Sequence, residues 1–252
     1  MMNSVYVGVE IVRSAGRLRR AFVYAALDEN QELLALGCGD RDEILAYLGG
    51  QQAAVAAINA PRQPNTGAVS GSATDPNELP PEESSPPVNA RLCEILLQQE
   101  GFKIDFTPKS AKSCPGWMRR GFDLYQRLEA FDYLPYPNQD SARQSLESCA
   151  DAVFWRLLSH KLPLPASLEG RLQRQLILSD QQIPVPDAMA FFMEITRFRL
   201  VHGDLPDENI YSSEELNALA AALIAWQAAH HPDQVELLGD PDEGQIVLPV
   251  SP

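Results

Sequence analysis

The sequence predicts an α/β fold: a five-stranded mixed sheet with flanking helices and an extended helical second half. Three observations predict it. Val5 to Val12 alternates as a strand covered on both faces, with Val5, Val7, Val9 and Ile11 on one side and Tyr6, Gly8, Glu10 and Val12 on the other. Ala53 to Ile58 is a short continuous apolar run, as in a buried parallel strand. Ala218 to Trp226 is apolar on every side, so the helix that carries it must be buried.

Taken in order, the strand at Val5 is followed by a turn at Ser14 to Arg17 and by β-type runs at Arg20 to Leu27 and Glu32 to Leu36, which make a meander. Asp40 can cap a helix from Arg41 to Leu48, and Gly49-Gly50 ends it before the apolar strand. Residues 61–88 hold seven prolines and several acids without periodicity, which reads as a mobile loop, either disordered or a lid. Apolar residues then recur at helical spacing over Ala90 to Glu100, Gly116 to Ala130, Ala152 to His160, Ser167 to Ser179 and Asp187 to Val201. Phe102 to Phe106, Arg143 to Cys149 and Gln245 to Val250 are candidate strands. Ser212 and Glu215 form a capping box that starts the buried helix. A single domain over residues 1–252, with 61–88 as an insertion, accounts for this order.

With 252 residues, 45% apolar and 21% charged, the chain has the composition of a packed protein rather than a disordered, collagenous or disulfide-stapled one. No apolar run approaches the roughly 20 residues that cross a bilayer, and the N-terminus lacks a secretory pattern, so a cytoplasmic protein without a membrane partner is expected. Cys38, Cys93, Cys114 and Cys149 show no metal or disulfide spacing, and His160, His202, His230 and His231 no H-x-x-x-H pair. A formal charge of −14 excludes an indiscriminate nucleic-acid coat protein. Local basic clusters remain, at Arg13, Arg17, Arg19 and Arg20 and at Lys109, Lys112, Arg119 and Arg120. No phosphate-cradling glycine loop followed by Lys occurs.

The candidate chemistry lies where strands end. Glu10 follows Gly8 on the same face, and the missing side chain of Gly8 would leave room for a substrate beside the carboxylate. Asn59 ends the fourth strand, and the capped helix supplies Glu214 and Asn217, three residues apart on one face. Four oxygen-bearing side chains can thus converge.

The ordered set Val7-Gly8-Val9-Glu10, Ala57-Ile58-Asn59-Ala60-Pro61 and Glu214-Glu215-Leu216-Asn217-Ala218-Leu219-Ala220 resembles the ribonuclease-H-like proteins grouped as domain of unknown function family 429, predicted nucleases related to Holliday-junction resolvases. In that family the first strand carries G-h-D, the fourth I-D-x-P and a late helix D-x-x-D-A-L. Arg91-Leu92-Cys93, Glu147, the stretch Glu169 to Gln175 and the ending Gly244 to Pro249 extend the likeness over most of residues 4–250, outside 61–88.

The resemblance implies two-metal phosphodiester hydrolysis with Mg²⁺ or Mn²⁺, carried by Glu10, Glu147 and Glu214 as ligands and Asn59 and Asn217 as neutral ligands or orienters. Arg91, Arg171 and Arg174 would contact phosphate, and structured nucleic acid would be the partner. The chain departs from the family where charge is counted. Glu10 replaces Asp, and Asn59 and Asn217 each replace an Asp, which removes two negative charges from a site that must offset four positive ones. The alternative is therefore a catalytically impaired member that binds a protein or nucleic acid.

Overall fold

The computed structural model describes residues 4–13, 20–67 and 90–250. The predicted turn at Ser14 to Arg17, the basic residues Arg17 and Arg19, and residues 68–88 of the predicted loop lie outside the described residues.

The opening meander forms as read: β1 (Val5–Ile11) pairs antiparallel with β2 (Phe22–Leu27), and β2 with β3 (Leu33–Gly39). Asp40 then caps α1 (Arg41–Gly49), with its carboxylate accepting from Asp42 N and Glu43 N while Glu43 reaches back to the Asp40 N–H. The chain returns as β4 (Ala54–Asn59), parallel to β1.

Helices α2 (Leu92–Gln99) and α3 (Gly116–Glu129) follow, then a short β5 (Leu134–Pro135) and β6 (Arg143–Glu147) parallel to β4. Next come α4 (Ala150–Leu158), α5 (Leu168–Asp180), α6 (Ala190–Glu194), α7 (Arg197–His202) and α8 (Ser213–His230). A hairpin of β7 (Val235–Asp240) and β8 (Gly244–Pro249) closes the chain. Among the described residues the sheet holds eight strands rather than five, in the order β3-β2-β1-β4-β6-β8-β7, with β5 paired to β6. The unpredicted β7 has a simple cause: Gly239 and Gly244, both at positive φ, flank the turn that folds it back on β8.

Both faces of the sheet are covered, as the alternation in β1 requires. Val7, Val9, Ile11, Ala56 and Ile58 pack with Ile44, Leu48, Leu124 and Leu128 of α1 and α3. Tyr6, Ala25, Val55, Ala57 and Leu146 face α8. Behind α8 lie α4 and α5, so every residue from Ala218 to Ala225 is buried. The closest approach is at Gly8, where a Cβ would overlap the Ala218 carbonyl oxygen and the Ala222 nitrogen. The glycine seats a helix backbone against the sheet; the space read as room for a substrate is filled by α8.

Two predicted elements differ. Phe102 to Phe106 forms no strand: Phe102 and Ile104 pack on the core, and Asp105 and Thr107 are held by Arg13 and Glu94 through side chains instead of a ladder. The helix expected over Asp187 to Val201 breaks in two. Ile195 and Thr196 are extended, and the Thr196 hydroxyl accepts from Arg199 N at 3.2 Å, starting α7 afresh.

Candidate functional site

Parallel strands β1, β4 and β6 bring their C-terminal ends to one edge of the sheet, and register decides which side chains meet there. Glu10 is the register partner of Asn59, whereas Glu147 is the partner of Ile58. Alternation therefore puts Glu10 and Asn59 on the α8 face. Glu147 shares the opposite face with Ser145.

On the α8 face, Asn59 does two jobs. Its Nδ2 donates to Glu10 Oε2, and its Oδ1 accepts from Ala150 N at 3.1 Å, capping α4 in place of Cys149, whose side chain makes no cap bond. An aspartate could fill the second role but not donate in the first. Asn217, on the first turns of α8, is a further hydrogen-bond partner of Glu10.

Glu10 is 5% exposed, and burial pushes its carboxyl up to about 8, against the opposing influence of the Asn59 and Asn217 amides and of Arg13. At neutral pH it is mainly the neutral acid. Asn217 Oδ1 is buried and accepts no hydrogen bond among the described residues.

On the other face Glu147 is held by protein cations and donors. The Arg91 guanidinium forks onto it, Nη1 to Oε2 at 2.9 Å and Nη2 to Oε1 at 2.5 Å, and Arg62 N donates to Oε2 at 3.0 Å. Arg91 Nε also reaches Glu94 Oε1 at 2.9 Å, and Thr107 N donates to Glu94 Oε2 at 3.0 Å. Burial alone would disfavour the Arg91 charge, but the facing carboxylates more than offset it and raise its pKa. The Arg62 side chain donates to Ser145 Oγ at 2.7 Å and lies 4.4 Å over the Tyr125 ring.

The remaining predicted residues stand apart. Glu214 accepts from Ser213 Oγ at 2.9 Å, while Glu215 closes the predicted capping box on Ser212 N at 2.8 Å. Arg174 is buried over Phe154, its Nη2 on Asp151 at 2.9 Å, and Arg171 lies 3.9 Å from Asp207. Neither lines the cleft between the strand ends. That cleft, bounded by Arg13, Asn59, Arg91, Trp117, Glu147 and Ser148, is small, with a volume of about 30 Å³. Arg13 stacks 4.5 Å from the Trp117 ring centroid at its mouth.

The structure thus unites Glu10, Asn59 and Asn217, sets Glu147 on the other face with Arg91, and leaves Glu214 bonded to its own helix start. Among the described residues no three His, Cys, Asp or Glu side chains are grouped so as to hold a metal ion. Sequence reasoning missed Arg62, Glu94 and Thr107. Glu94 carried a readable signal, because it lies three residues after Arg91, where its carboxylate accepts from the Arg91 N–H at 3.0 Å. Arg62 and Thr107 carried none, since their partners are distant in the chain. Compared with protein-family models, curated proteins and solved structures, the chain matches none.

Proposed function

We propose that this chain is a ribonuclease-H-like protein whose metal centre has been replaced by a buried polar cluster in which protein donors hold the carboxyl groups, and that it acts by binding a partner rather than by cleaving a phosphodiester. For the fold, the support is the order β3-β2-β1-β4-β6, with an antiparallel opening, two parallel additions and α8 across the face of β1. Those five strands are the arrangement that the motif resemblance implies. The β7–β8 hairpin extends it.

For the loss of cleavage, one observation carries the reading: the Arg91 guanidinium occupies both oxygens of Glu147 in the buried cleft. A pair of Mg²⁺ or Mn²⁺ does not fit such donors. Hard divalent cations need ionised, accessible oxygens, and here one carboxylate is neutralised by a guanidinium. A second carboxyl, Glu10, is buried and already takes the Asn59 amide.

Isothermal titration with Mn²⁺ and a cleavage assay on a four-way DNA junction test this. The wild type is expected to give no binding heat and no cleavage. Cleavage lost in Glu214→Ala, or Mn²⁺ binding lost in Glu10→Ala, overturns it. The Asn59→Asp, Asn217→Asp double variant asks how far two restored charges revive ion binding.

A further inference from the structure

Arg119 and Arg120, part of a basic cluster in the sequence, take no part in the site described above. They line a cavity of about 590 Å³ that shares no lining residue with the strand-end cleft. Three element starts bound it: Ala21 and Phe22 lead into β2, Asp40, Arg41 and Asp42 open α1, and Gly116, Arg119, Arg120 and Asp123 lie on the first turns of α3. Sites for small molecules have volumes of about 300–1,000 Å³.

Charge in this cavity is unevenly spent. All three carboxylates are engaged: Asp40 caps α1, Asp42 accepts from Arg41 Nε at 3.0 Å, and Asp123 accepts from Arg127 Nε at 3.0 Å and from Arg41 Nη1 at 3.4 Å. Asp123 stands about one turn from Arg119 and Arg120, yet its oxygens go to the other two arginines. Among the described residues neither Arg119 nor Arg120 has a carboxylate partner. Arg120 Nη2 donates to Val12 O, and its Nε is buried without a hydrogen-bond partner. Burial lowers the Arg120 pKa and the neighbouring Arg119 lowers it further, as expected of two cations that face no anion.

The two guanidiniums also converge. A Cβ on Gly116 would stand 3.7 Å from Arg120 Nη1 and 4.0 Å from Arg119 Nη2, so both side chains reach back over the first residue of α3. That helix start follows Pro115 and has no side-chain cap, and its N–H groups add partial positive charge at the same place.

We propose that this cavity binds a small phosphate monoester, its phosphate held between Arg119, Arg120 and the start of α3 and the rest of the molecule lying towards Ala21 and Phe22. The step does not rest on the functional reading above. Two guanidiniums and a helix start call for a dianion, and their planar forks suit phosphate oxygens, whereas a single carboxylate would leave one cation unmatched. A nucleic-acid strand fits poorly. It would bring further phosphates past Asp40, Asp42 and Asp123, on a chain of charge −14.

Isothermal titration of the full chain with glycerol 3-phosphate, glucose 6-phosphate and adenosine 5′-monophosphate tests the proposal, with glucose and a dT oligonucleotide ending in hydroxyls as comparisons. At least one monoester should bind with Kd below about 1 mM, and glucose should give no heat. Binding should tighten about threefold or more from about pH 5.5 to 7.5, as the monoester gains its second charge near about pH 6. Arg119→Gln, at an exposed position, should weaken it at least about tenfold, and Arg197→Gln, exposed on α7, should leave it unchanged. Gly116→Asp should abolish binding and raise the melting temperature, because its carboxylate then takes the seat between the two guanidiniums. The absence of heat with all three monoesters overturns the proposal. So does binding that ignores Arg119→Gln, binding that weakens as pH rises over that window, or tighter binding of the oligonucleotide than of every monoester.

Discussion

Helix α8 and the α6–α7 stretch are both rich in apolar residues, and they end up in opposite environments. Ala218 to Ala225 lies between the sheet and α4 and α5, with every residue at 1% exposure or less. Phe192 to Val201 keeps its large side chains in the open. The difference lies in side-chain size and caps. The alanines of α8, facing Gly8, Ala25 and Ala57, let helix and sheet backbones approach closely, so a mostly small-residue helix can be enclosed on all sides. The Phe- and Met-rich stretch is too bulky for such a slot and is interrupted by the Thr196 cap, leaving helices of five and six residues that cannot bury much by themselves.

The contrast can be broken most severely at Gly8. Gly8→Val pushes α8 off the sheet and should cost more than about 4 kcal/mol, seen as loss of the cooperative urea transition. Close behind is Leu219→Ala, expected to cost about 2–5 kcal/mol for a fully buried leucine. Phe198→Ala removes a larger side chain and should change stability by less than about 0.5 kcal/mol, because the ring is exposed. Equal costs for the two truncations would mean that α7 is packed in solution.

Glu10 sharpens the contrast through pH. Its carboxyl is raised in the folded state from the ordinary 4.5 to about 8, so the native state holds the proton more tightly than the unfolded chain does. The contribution is fully present below about 4.5 and is lost as pH rises through about 8. Urea midpoints should therefore fall over that window, by up to about 3–5 kcal/mol in the extrapolated stability. Glu10→Gln, which cannot titrate, should flatten the slope and be the more stable protein at pH 9. A wild-type slope unchanged by the substitution would show that Glu10 is ionised.

The smallest expected effects compare two caps of the same chemistry. Ser212→Ala frees an N–H at the start of α8 and should cost about 1 kcal/mol of global stability. Thr196→Ala does the same to α7 and should leave the global transition unmoved while speeding amide exchange over residues 197–202, because α7 contributes nothing to the core. A Thr196→Ala variant that lowers the global midpoint as much as Ser212→Ala would place α7 in the cooperative unit.

The site was legible to the same degree as its local patterns. Glu10 and Asn59 were readable as neighbours because each ends a strand whose alternation is plain, and Asn217 because it borders the apolar arc of α8. Glu147 was read into the same group, yet one step of register on β6 turns it to the other face, where Arg91 and Arg62 wait. That step has no local signal. It is set by which β4 residue stands opposite.

The sequence by itself determined the meander, the capped α1, the parallel β4 and the buried α8, because alternation, caps and apolar arcs are properties of neighbours in the chain. Only the tertiary structure decided that Gly8 is a seat for α8, that Asn59 bridges Glu10 to the start of α4, and that Arg91 neutralises Glu147. Each of these depends on atoms brought together from far-apart positions, and such contacts are set by packing and register once the elements assemble.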